Sequence, residues 1–199
     1  MQSSQAPHIE IATAKQAIES MREAESLDDS DQNWKLFLHR LERIWSKTLA
    51  HYRRSPKWGN WAAKFDRDRK SDMLLSYLCQ ARGAEEHTTT EVTGNEPGSV
   101  DINLADGVGV QSDGSVLIED LSFVSGPDGT RIFSAQPLKL TFVPARVRIE
   151  PVVNRGRTYA VPHTHLGKAV DPTNLIFIAN LALQYYEAVV AKAEEHFVK

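Results

Sequence analysis

Residues 31–52 read DQNWKLFLHRLERIWSKTLAHY. Trp34, Phe37, Leu38, Leu41, Ile44, Trp45, Leu49 and Tyr52 recur at the spacing that gathers apolar side chains on one face of an α-helix. Asp31 is the predicted N-cap, and the other face carries Lys35, Arg40, Arg43 and Lys47. A stripe this long needs apolar partners, and the segments on either side of it supply them.

Upstream, Ile11, Ala14, Ile18 and Met21 predict a helix over 9–24, followed by a loop at SLDDSD. Downstream, Ser55-Pro56 breaks the chain before Trp58, Trp61, Ala62 and Phe65, which read as a short helix or an ordered loop with aromatic anchors. A further helix, capped by Ser71 or Asp72, buries Leu74, Tyr77, Leu78 and Ala81 and runs up to Gly83. The last helix is predicted to start with Asp171 as N-cap and Pro172 at its first position, with Leu175, Ile178, Ala182, Tyr185, Tyr186, Val189, Ala193 and Phe197 as its stripe. That stripe is expected to return to the N-terminal helices.

Between these helices the helical period disappears. Short β-type runs are predicted at 100–104, 109–111, 115–121, 130–133, 138–142, 146–153 and 158–161. Asp106-Gly107, Asp113-Gly114, Asp128-Gly129 and Arg155-Gly156 supply turn residues, and the expected arrangement is an antiparallel meander. The chain is therefore read as α+β: a helical bundle from 9–92 and 171–198, with an antiparallel β segment at 95–162 inserted in it or appended to it.

The 199 residues are 41% apolar and 25% charged, as in an ordinary folded protein. No window approaches about 18 consecutive apolar residues, and MQSSQAPHIE lacks the features of an export signal, so no membrane partner is expected. The single cysteine, Cys79, excludes an internal disulfide and a Cys-rich zinc site, which fits a cytoplasmic location. The net charge of −3 conceals an asymmetry: residues 35–70 carry eleven Lys or Arg against three acids, a balance of +8, and the remainder stands at −11. One part of the chain can attract a polyanion although the whole would not.

The stretch YLCQARGAEEHTTT, residues 77–90, places Arg82 and His87 where the helix is expected to fail at Gly83. Against a phosphodiester, an arginine grips the phosphate and a histidine exchanges a proton, enough in principle to drive a ribose 2′-hydroxyl onto its own phosphate without a metal. The alternative is structural: Arg82 pairs with Glu85 or Glu86 at i+3 or i+4, and His87 faces the negative helix end.

The R-x-x-x-x-H pattern at the end of a late bundle helix, in LCQARGAEEHT, resembles the signature of HEPN domains, helical proteins that include many metal-independent endoribonucleases of toxin and antiviral systems. The resemblance covers the helical part and not the β segment. It implies RNA as partner, a homodimer in which two copies of the pair meet at a two-fold groove, Arg82 on the phosphate, His87 in acid/base catalysis, Glu85 or Glu86 as supporting groups, and no metal or other cofactor. Gly83 stands where active members commonly carry Asn, Asp or His.

Arg53, Arg54, Lys57 and Trp58 are candidates for nucleic-acid contact through phosphates and a stacked base, while Trp58 and Trp61 can equally anchor a helix to a core. His163 and His165 share one side of an extended strand but have no evident third ligand; a second possibility places their loop beside the end of the Arg82 helix. The Asp-Gly pairs lack the ligand spacing of a calcium loop, and phosphate-loop, nucleophile-elbow and dinucleotide fingerprints are absent. A reading of another class is a non-catalytic dimeric interaction module whose β-sheet binds a protein partner.

Overall fold

The computed structural model describes residues 2–87, 91–104, 118, 120–127 and 129–198. It is an α+β protein whose described residues divide into two compact units, Met1–Glu96 with Val147–Lys199, and Pro97–Arg146. The first contains all five helices: α1 (Gln5–Arg22), α2 (Leu27–Tyr52), α3 (Trp58–Ser71), α4 (Met73–His87) and α5 (Leu175–Phe197). Its core joins Trp34, Phe37 and Ile44 of α2 to Leu74 and Leu75 of α4 and to Ile178 of α5, so the stripe of residues 34–52 is buried as expected.

Helix boundaries differ from the sequence reading where a nearby side chain makes a better cap. SLDDSD is not a loop: Ser26 Oγ accepts the Asp29 amide at 3.0 Å, and Asp28 and Asp29 occupy the first turn of α2, favourable beside the positive end of its dipole. Asp31, inside the helix, instead pairs with Lys35 at 2.7 Å and accepts the Thr93 hydroxyl. Asn174, not Asp171, caps α5 by accepting the Phe177 amide at 2.9 Å. Asp171 makes a local turn with the Thr173 amide, so Pro172 precedes the helix. By length and composition α5 is also long and apolar enough to cross a bilayer; 44% of that apolar window is buried inside the fold.

Gly83 does not end α4, which continues to His87. Its reason is external. Asn154 of β7 lies so close that a Cβ at position 83 would sit 2.6 Å from the Asn154 amide nitrogen, and that nitrogen donates to Gln80 Oε1 at 3.0 Å.

Among the described residues the strands pair in twos rather than in one meander. Three pairs are nested: β1 (Thr93–Glu96) with β6 (Arg146–Ile149), β2 (Ser99–Leu104) with β5 (Leu138–Val143), and β3 (Ser122–Gly126) with β4 (Gly129–Phe133). Two are simple hairpins: β7 (Val152–Asn154) with β8 (Arg157–Tyr159), and β9 (Thr164–His165) with β10 (Lys168–Ala169). Arg155-Gly156 forms the expected turn with both φ angles positive, 50° and 74°. The run expected at 146–153 is split between β6 and β7, and the strand at 109–111, most of that at 115–121, and the turns at 106–107 and 113–114 fall outside the described residues.

The second unit, narrower than the segment read from composition, holds β2–β5 and β3–β4. In register, Ser99 faces Val143 and Leu104 faces Leu138, while Ser122 faces Phe133. Phe123, Phe133 and Phe142 are exposed. Residues from Val147 onward belong to the helical unit because β7 and β9 lie against α4.

Glu10, only 5% exposed, ties α1 to α2 by accepting from Arg40 Nη1 at 3.0 Å and Arg43 Nε at 2.8 Å. Burial alone would raise its carboxyl, but hydrogen bonds and charge from Arg43 and Arg40 outweigh burial and hold it below its ordinary value of 4.5. With a folded-state pKa below the unfolded one, this contribution is complete above about pH 4.5 and is lost as pH falls through the lowered value. Glu10→Gln is expected to cost about 1–3 kcal/mol at neutral pH by urea unfolding, and to flatten the acid limb of the stability profile.

Candidate functional site

Four residues singled out in the sequence meet at the C-terminal end of α4, joined by one that was not. The Glu86 carboxylate stands at the centre. Arg82 Nη2 donates to its Oε1 at 2.5 Å, one helical turn apart, and His87 Nε2 lies 3.7 Å from Oε2. His39, from α2, enters on the other side: its Nε2 is 2.8 Å from Glu85 Oε2 and its Nδ1 is 3.5 Å from Glu86 Oε1. Arg82 is thus paired as the structural alternative expected, with Glu86 and not Glu85 as its partner.

Exposure separates the members. The His87 side chain is 67% exposed, whereas those of Arg82 and His39 are about one-third exposed, at 31% and 34%. Arg82 Nε is buried and makes no hydrogen bond among the described residues, so only the far end of the guanidinium is engaged. The cluster therefore offers an exposed imidazole, a second imidazole held by carboxylates, and a guanidinium whose counterion is a flexible side chain. His39 carried little signal in the sequence. It lies off the apolar stripe of α2, and only the packing of α4 on α2 brings it to Glu85.

The basic segment divides in two. Arg40 and Arg43 bind Glu10, Lys35 binds Asp31 and Glu91, and Arg69 is consumed in the interior. Arg69 pairs with Glu42, donates to Cys79 Sγ at 3.2 Å, and lies 4.8 Å from the Trp45 ring centroid. Burial would lower its pKa, but the surrounding Tyr186, Cys79 and Glu42 outweigh burial and raise it. Arg53, Arg54 and Lys57, by contrast, are exposed with no ion pair among the described residues. Trp58 is half-buried, its ring centroid 5.2 Å from Trp61, 5.9 Å from Phe197 and 6.2 Å from Trp45. It serves as an aromatic anchor, and its ring is engaged within the protein.

His165 is at the other end of α4, roughly 15 Å along the axis from Arg82 by the rise per residue. Its Nδ1 is 2.9 Å from Asp72 Oδ1, and no group of three potential metal ligands gathers among the described residues. His163 is exposed, with its backbone amide on Met73 Sδ. The two histidines do not join the Arg82 cluster.

The chain matches no protein-family model, no curated protein and no solved structure.

The cluster's ion pairs are part-exposed, so they are worth little to the fold. His87→Ala is expected to change unfolding stability by no more than about 0.5 kcal/mol, and Arg82→Ala to cost about 1 kcal/mol. Urea unfolding of both variants checks this, and a much larger loss would make the cluster a structural element.

Proposed function

We propose that the protein is a HEPN-like, RNA-directed, metal-independent endoribonuclease of a bacterial stress or antiviral type, active as a homodimer. The observation that carries this reading is the α4 end itself, where Arg82, Glu86 and His87 gather with His39 and the His87 imidazole is open to solvent. Gly83 departs from the Asn, Asp or His that active members commonly carry after the arginine, and the Asn154 carboxamide that fills the space beside it donates to Gln80.

In the proposed reaction an RNA phosphate displaces Glu86 from Arg82, whose guanidinium then holds the phosphate and offsets the charge that grows on it. His87 removes the proton of the adjacent ribose 2′-hydroxyl. The O2′–P bond forms, the P–O5′ bond breaks, and the leaving oxygen takes a proton from the His87 of a second copy. The products are a 2′,3′-cyclic phosphate and a 5′-hydroxyl. Arg53, Arg54 and Lys57 guide the strand by its phosphates.

The exposed phenylalanines of the second unit favour a second reading, a non-catalytic module that binds a protein partner through its strands.

Incubating purified protein with a mixed RNA pool in EDTA separates the two. Cleavage to cyclic-phosphate ends is expected, with His87→Ala slower by about 100-fold or more. RNA binding is expected to weaken steeply with salt, and further when Arg53, Arg54 and Lys57 are changed to Glu. Because Glu86 competes with phosphate for Arg82, Glu86→Gln is expected to tighten binding. No cleavage by the parent, or equal cleavage by His87→Ala, overturns the ribonuclease reading.

A further inference from the structure

At the opposite end of α4 the helical unit holds an open groove of about 560 Å³, walled by α3, α5 and the β9–β10 hairpin. That volume suits a mononucleotide-sized ligand. Its lining is largely apolar: Tyr185, Leu181 and Ala188 reach the opening, and Phe65 backs them from the core, its ring 4.7 Å from that of Trp61. Three lysines line it, Lys64 from α3, Lys168 from β10 and Lys192 from α5. All three are exposed and have no carboxylate within ion-pair distance among the described residues.

The acidic lining residue is already occupied. Asp68 Oδ2 accepts the Tyr185 hydroxyl at 3.2 Å, which fixes the phenol ring. Burial and the Asp68 charge raise the Tyr185 pKa, so the hydroxyl remains a donor at neutral pH. His165 stands against the Tyr185 ring, edge to face at 6.0 Å, and Asp72 holds the imidazole from behind at 2.9 Å. The aromatic wall is thus immobilised before any ligand arrives. Asp68 is the one acidic residue in the lining against three lysines, so the groove keeps a positive balance.

We propose that this groove binds a nucleotide, with the base against Tyr185, Leu181 and Ala188 and the phosphate among Lys64, Lys168 and Lys192. An apolar pit alone would suit many ligands and lysines alone would suit any anion; the combination selects a flat apolar ring joined to a phosphate. The exposed amide of Gln184 on the same wall can meet the base edge. The nucleotide is either free in solution or one unit of a single strand crossing the groove. Neither case depends on the ribonuclease reading, because the groove and the Arg82 cluster lie at opposite ends of α4.

The test is calorimetric titration of the full chain with the four ribonucleoside 5′-monophosphates and, separately, with a short 2′-O-methylated single-stranded RNA. The methylated strand cannot be cleaved through its 2′-oxygen, so the result is independent of any nuclease activity. Saturable binding of a monophosphate would identify a free nucleotide as ligand, and binding of the strand alone would identify a strand-tracking subsite. Two variants discriminate the contacts. Lys64→Glu with Lys192→Glu is expected to weaken binding by about tenfold or more. Ala188→Trp, an exposed position, is expected to fill the floor and abolish binding while leaving every lysine in place. Circular dichroism checks that both variants fold. The proposal is overturned if neither ligand binds at millimolar concentration, if binding survives either variant, or if inorganic phosphate or octanoate binds as well as the nucleotides.

Discussion

One carboxylate sets the geometry of the helical unit on the side of the groove. Asp72 Oδ1 accepts the Leu75 amide at 2.9 Å, capping α4, and the same oxygen lies 2.9 Å from His165 Nδ1. Its Oδ2 accepts the Leu166 amide at 2.6 Å. Those partners come from two places in the chain: the first turn of α4 and the tight hairpin that leads into α5. The hairpin turn needs positive φ at Leu166 and Gly167, 48° and 78°, an unusual demand on leucine that the bond to Asp72 helps to meet. Through this carboxylate the start of α4, the entry to α5 and the orientation of His165 are fixed together.

Charge is used in two distinct ways along the basic segment. Arg40, Arg43 and Arg69 are ordered by Glu10 and Glu42 and serve as fasteners between helices. Arg53, Arg54, Lys57 and Lys64 remain on the surface, free of ion pairs among the described residues. A sum over sequence windows cannot separate these populations. The positive field available to a polyanion is correspondingly weaker than the count of cations suggests, and is displaced toward the α2–α3 junction and α3.

The helices were legible because burial imposes a period on the sequence. Their ends were not, because several nearby residues can act as caps: Ser26 competed with Asp31, and Asn174 with Asp171. Gly83 read as a helix breaker when its role is to admit Asn154, a contact between residues 71 positions apart. The nested strand pairs were hidden for the same reason, since β2 pairs with β5, whose residues lie more than 30 positions away in sequence. Of the candidate site, the Arg82–Glu86 pair was legible as an i, i+4 spacing, but the continuation of the helix to His87 was not, since Gly83 read as its end. His39 and the Asp72–His165 pair were not legible either, since each depends on two elements meeting.

The nesting of the strands also bears on how such a chain diversifies. The segment that forms the second unit leaves from β1 and returns on β6, and those two strands are paired. Its entry and exit are therefore adjacent, and the loop-closure cost for whatever lies between them grows only slowly with length. An insertion mounted this way is a cassette: it can lengthen, shrink or be exchanged in evolution while the helices that carry Arg82 and the groove retain their packing.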